Sequence, residues 1–272
     1  MIIICKFWRF KWKQAEKPGL TYYIVTLAVN SLGAIGLING LSQKEISDMY
    51  LTLITPSPAT FSIWSVIYSL LLISIIVMIV KKDDPYYKKA VDEITPLFRL
   101  SCLLNIAWIV TFSFVLVEIS SLLILAFLIT LALISLKLLK INDNKHWLLP
   151  VTFGMYTGWL FIATVVNLAA TLVKLEWNGF GIAQDTWGVI ILVVAILLVI
   201  LVQIKLRNVV FPLPIAWAFF GIYQFLNAPE GFGGEYALMQ NVGLIGAGVL
   251  VLIALFTLYQ NGWKVLPKTQ ES

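Results

Sequence analysis

The chain has 272 residues, of which 60% are hydrophobic and only 12% charged. A water-soluble domain carries about twice that share of charge, so a soluble enzyme is excluded and an integral membrane protein is indicated. The net charge of +5 is no sign of a nucleic-acid partner, because the distribution of the cations explains it.

In chain order, residues 1–19 form a leader in which Phe7, Trp8, Phe10 and Trp12 interleave with Lys and Arg. That mixture suits a segment lying on an anionic membrane surface. The first apolar stretch, 20–40, contains Gly33, Gly36 and Gly40. The Gly36-x-x-x-Gly40 spacing predicts close helix contact, within the chain before a homodimer, which stays an alternative. The outer loop 41–60 has room for a short interfacial helix ending at Pro56 and Pro58. The second span, 61–80, opens with Trp64 and Tyr68 one helical turn apart. On one stripe, such rings either anchor the helix at the headgroups or line a pocket.

Residues 81–95 read as a mixed-charge connector broken at Pro85. Spans at 96–117 and 119–139 follow, with a very short turn between them. The remaining spans are 149–172, 186–205, 209–227 and 240–260, each near the ~20 residues that cross a bilayer. The expected fold is therefore an all-α integral membrane protein with about eight transmembrane helices. Two Gly- and aromatic-rich loops, 176–187 and 227–236, are candidate lids, or simple turns with interface-seeking rings. Trp147 and Trp187, near span ends, read as interface anchors. Pro212 and Pro214 are placed to tilt or kink the seventh span.

With the N-terminus inside, seventeen of the nineteen Lys and Arg fall on the cytoplasmic side, leaving only Lys44 and Lys174 outside. This bias predicts a cell-membrane protein with both termini in the cytoplasm. Cys5 in the leader and Cys102 in the third span are not placed to pair.

The catalytic inventory is thin. One histidine, His146, sits in a cytoplasmic turn, and the fourteen carboxylates fall in loops or at helix ends. A metal site wants three or four convergent ligands, and none is assembled, so no catalytic residue, metal or cofactor is expected. A proton pump is disfavoured because charges inside the bilayer, its usual mark, are missing from the spans. What the spans hold is rings and amides. Asn105, Trp108 and Phe112 share one stripe of the third span; Tyr156, Trp159, Ala163 and Asn167 share one of the fifth. An amide in hydrocarbon is costly without a partner, so Asn105 and Asn167 face the protein interior, and the tryptophans beside them turn inward too. These stripes are either packing glue or the wall of a pocket.

Three segments then carry a resemblance. "FSIWSVIY" (61–68), "NIAWIVTF" (105–112) and "YTGWLFIATVVN" (156–167) resemble, in order, the Trp-x-x-x-Tyr, Asn-x-x-Trp and Tyr-x-x-Trp-x-x-x-Ala-x-x-x-Asn motifs of the TspO/MBR family. These are the tryptophan-rich sensory proteins related to the translocator protein, or peripheral benzodiazepine receptor. Ile63 and Met155 stand where that family commonly has proline. The fifth span ends without the family's sterol motif, so sterol binding is not implied. The resemblance covers 20–173 and implies a five-helix core, to which 174–272 add three further helices and a short tail. It implies a cavity for a planar hydrophobic ligand of the porphyrin or tetrapyrrole class, with a sensor or translocator role. By position, Trp64, Tyr68, Asn105, Trp108, Trp159, Ala163 and Asn167 contribute to that cavity. A small-molecule transporter is the alternative, and a porphyrin-degrading enzyme a further one. The expected partners are the ligand and the lipid bilayer. The aromatic-plus-amide pattern of Trp217, Tyr223 and Asn227 in the seventh span is placed to close one side of the same cavity.

Overall fold

The structure is a computed structural model and describes residues 18–267. Cys5 and nearly all of the basic, aromatic leader lie outside the described residues. Nine α-helices are seen among them: α1 Leu20–Ala34, α2 Gln43–Met49, α3 Ile63–Val80, α4 Pro85–Ser113, α5 Val117–Lys140, α6 Leu148–Lys174, α7 Gln184–Leu206, α8 Pro212–Asn227 and α9 Ala237–Gln260. One-turn 3₁₀ segments stand at Pro58–Ser62 and Gly179–Gly181. Eight of the helices correspond to the eight apolar stretches, and α2 lies in the 41–60 loop. Six are long and apolar enough to cross a membrane, while α1 and α8 are shorter, with 15 and 16 residues.

Four local readings change. First, α1 stops at Ala34, and Gly36 and Gly40 lie beyond it at φ +76° and +78°. Only glycine adopts that backbone freely, so these residues turn the chain and do not form a helix-packing motif. Second, 81–95 is not a simple connector. Asp84 caps α4 by accepting from the N–H groups of Tyr86 and Tyr87 at 2.9 and 3.3 Å, with Pro85 at the first helical position. At 29 residues, α4 is about 43 Å long and outruns a hydrocarbon core of about 30 Å. Third, the loop helix ends at Met49, well before Pro56. Fourth, Pro212 and Pro214 fall in the first turn of α8, where a missing N–H leaves no bond unmade, so they start the helix. The turn between α4 and α5 is only Phe114–Leu116, with Val115 held at φ +59°.

Helices α4, α5 and α6 pack in succession, α1 lies along α4, and α8 and α9 form a second close pair. The two groups meet where α8 crosses α6. A Cβ on Gly158 would lie 2.1 Å from the Phe211 carbonyl oxygen and 2.6 Å from Pro214. One turn earlier, a Cβ on Gly154 would strike the Asn208 amide at 2.6 Å. That amide donates to the Pro150 carbonyl at 2.9 Å and accepts from the Val210 N–H at 2.9 Å. The bare face of α6 is thus what lets the α7–α8 turn dock.

Candidate ligand cavity

Trp64 is the centre of the site. Its ring stacks on Tyr68 at 5.4 Å and 17°, and stands edge-on to Tyr156 and Trp159 at 6.1 and 6.0 Å. Trp108 lies 6.2 Å away, and Phe61 meets Trp159 edge-on at 6.0 Å. Edge-to-face and offset pairs at these separations are the favourable ring geometries. Rings from α3, α4, α6 and the 3₁₀ segment therefore converge at one end of the bundle.

They border a cavity of about 340 Å³, within the range of small-molecule sites. Of the seven residues expected there, Trp64, Trp108, Trp159, Ala163 and Asn167 line it. Tyr68 and Asn105 do not. Asn105 is fully buried and donates to the hydroxyls of Tyr156 and Tyr68 at 3.0 and 3.3 Å, while its carbonyl accepts from Asn30 at 2.6 Å. These two hold the helices together behind Trp64 and support the lining without belonging to it.

Asn167 does both jobs. It lines the cavity, accepts from the Trp108 indole N–H at 3.0 Å and donates to the hydroxyls of Ser120 and Ser121 at 3.2 and 3.1 Å. Trp108 is thereby oriented from α6 and α5 at once. By contrast the indole N–H of Trp159, in a side chain 2% exposed, has no hydrogen-bond partner among the described residues. Buried donors are nearly always paired, and this one is enclosed in the packing around the cavity wall.

The chain pattern also left lining residues unmarked. Ile162, Val166 and Ala170 widen the α6 stripe, and the spacing from Trp159 and Ala163 carried that signal. Gln43, Lys44, Ser47 and Asp48 come from α2, a seven-residue helix too short to show periodicity. They give the cavity a polar end, where Lys44 and Asp48 form an ion pair. Helix α2 is fixed by a capping box: the Ser42 hydroxyl accepts from the Glu45 N–H, and the Glu45 carboxylate accepts from the Ser42 N–H at 2.7 Å. That backbone hydrogen bond, with the Ser42 hydroxyl, holds the Glu45 carboxyl below its ordinary value.

Helix α8 contributes Ala218 and Phe225, not the residues that the pattern singled out. Trp217 turns its N–H to the Thr60 carbonyl, Tyr223 stacks with Phe220, and Asn227 donates to the Tyr223 carbonyl. Of the loops considered as lids, 227–236 sets Phe232 edge-on to Phe225 at 5.7 Å. In 176–187, Trp177 packs on Phe180 and Trp187 away from the lining. Trp187 also donates to the Gly179 carbonyl at 2.7 Å, whereas Trp147 is 61% exposed.

His146 lies outside the cavity. Its Nδ1 is 2.7 Å from Asp143, its ring stacks on Tyr86 at 4.4 Å, and its Nε2 is 3.5 Å from Asp84. This cluster fastens the start of α4 to the α5–α6 turn. Asp143 titrates below the ordinary carboxylate value: burial pushes it up, but hydrogen bonds from the Lys145 and His146 backbone and the His146 ring outweigh that. Among the described residues no group of three or more His, Cys, Asp or Glu is placed to hold a metal.

An all-helical bundle with spans of this length defines a multi-pass membrane protein, here with an aromatic-lined cavity at one end. The family model described as TSPO-like protein matches residues 19–256, and the chain belongs to that family. The match runs from the start of α1 into α9, so it takes in the three helices beyond the fifth span. No curated protein and no solved structure matches the chain.

Proposed function

We propose that the protein is a membrane receptor or translocator for a flat, hydrophobic molecule of the tetrapyrrole class, bound among Trp64, Trp108 and Trp159. The observation that carries this reading is the convergence of three indoles from three helices on one cavity. Ring faces supply stacking surface, while the α2 side chains supply partners for polar edges. Most of the lining is apolar and aromatic, with its charged groups confined to the Lys44–Asp48 pair at the α2 end, and the reading is of binding without turnover.

Transport is the second reading. The wall combines α3, α4 and α6 with α8 from the other helix pair, and movement of one group against the other would change access to a fixed site. Flux of the same ligand through proteoliposomes separates transport from binding alone.

Quenching of intrinsic tryptophan fluorescence, titrated with tetrapyrroles, sterols and drug-like aromatics, tests the ligand class. Trp159→Ala should weaken protoporphyrin binding by about tenfold or more, since a buried ring contributes both area and stacking. Trp147→Ala, on an exposed ring, should leave the affinity almost unchanged. Equal losses from both substitutions would show the indoles to be packing.

A further inference from the structure

One edge of the cavity is a seam between two segments far apart in the chain. Pro56, Pro58 and Phe61 line it on one side, and Ala218 and Phe225 of α8 on the other. The seam is closed by three hydrogen bonds. The Ser57 N–H donates to the Gly221 carbonyl at 2.9 Å, the Trp217 indole N–H donates to the Thr60 carbonyl at 2.9 Å, and the Ser57 hydroxyl donates to Gln224 at 3.3 Å. Between them Thr60, fully buried, sits against Gly221, where a Cβ would lie 1.9 Å from the Thr60 hydroxyl oxygen. Only a residue without a side chain allows that approach.

The latched part is short. Pro58–Ser62 is a 3₁₀ helix capped at Ser57 that runs without a break into α3 at Ile63, so it shifts together with the start of that helix. Phe61, which it carries, is 40% exposed and rests edge-on against Trp159. Parting this seam would open the cavity through the side of the bundle while leaving the Asn105 and Asn167 networks intact.

We propose that this seam is the gate of the cavity: α8 latches the 57–62 segment closed, and release of the latch admits a flat hydrophobic molecule sideways. The proposal rests on the cavity being a binding site, but it can be tested without any ligand. An Ala163→Cys variant, in a background with Cys5 and Cys102 replaced by Ser, places a thiol on the cavity wall. Its rate of modification by pyrene maleimide, a bulky planar probe, reports opening.

Adding Ser57→His and Gln224→His creates a zinc bridge across the seam; Zn²⁺ should then slow the labelling by about tenfold or more, and EDTA should restore it. Gly221→Ala, which the closed seam cannot accommodate, should speed labelling without zinc and raise the association and dissociation rates of protoporphyrin together. Labelling that ignores both the zinc bridge and Gly221→Ala overturns the gate. Labelling that obeys the latch while protoporphyrin fails to bind supports the gate and rejects only the ligand class.

Discussion

Asn167 ties the cavity to the bundle at the level of single atoms. Its carbonyl holds the Trp108 indole, and its NH₂ holds two serines of α5. Asn167→Leu keeps the branched shape of the side chain but strands the buried Trp108 donor. Individual hydrogen bonds between membrane helices average only ~0.6 kcal/mol, whereas an unsatisfied buried donor costs about 1–3 kcal/mol. The second effect dominates. We expect Asn167→Leu to lower the unfolding midpoint in detergent and to weaken ligand binding, because Trp108 is free to turn. Trp108→Phe in the same background should recover much of the stability and none of the affinity, since phenylalanine has no donor to strand. Stability that the second substitution fails to restore would contradict this account of Asn167.

Among the elements, α2 is the most sensitive. It is seven residues long, makes the polar end of the cavity and depends on its Ser42–Glu45 capping box. Glu45 titrates below its ordinary value of 4.5 when folded. A carboxylate with a depressed folded value contributes stability above the unfolded value and loses it as pH falls through the folded one. The cap is therefore complete at neutral pH and frays as the pH drops below 4.5. Ser42→Ala removes the reciprocal bond and should weaken ligand binding by roughly threefold to tenfold at pH 7. Titrations at falling pH should bring the native protein toward the variant. A gap that stays constant down to pH 3 would detach α2 from binding.

Across the whole molecule, the five-span group and the α7–α9 group are joined on a bare strip of α6. Gly158→Ala forces a Cβ into the Phe211 carbonyl, and overpacking of this kind costs about 1–3 kcal/mol. The expected result is faster proteolysis at the 207–211 turn with α4–α6 still folded, which limited digestion in detergent would read. Unchanged cleavage would mean that the two groups do not depend on this contact. Orientation is a second property of the whole chain. Under the expected topology seventeen of nineteen cations fall on one side, and the positive-inside rule then predicts both termini in the cytoplasm. In intact cells a lone cysteine at Ala228 should label with an impermeant reagent and one at Ser272 should not. The reverse pattern would invert the topology and place the cavity mouth on the cytoplasmic face.

Hydropathy and helical period are properties of neighbouring residues, and what they determine was legible in the chain by itself. The membrane class, the eight apolar stretches, the family and the inward stripes of Trp108, Trp159 and Asn167 all belong there. The failures were local as well: Gly36-x-x-x-Gly40 has the spacing of a packing motif, and only the backbone reveals that it turns the chain. Tertiary structure alone decided that Tyr68 and Asn105 stand behind the cavity wall, since which of several inward-facing groups reaches the void depends on the rings packed in front. It alone brought Ala218 and Phe225 to the lining, one and two positions from the residues that the pattern favoured. The seam that closes the cavity joins Thr60 to Trp217, 157 residues apart. No window on the sequence spans that distance, because such a contact is set by how whole helices pack and not by the order of residues within any one of them.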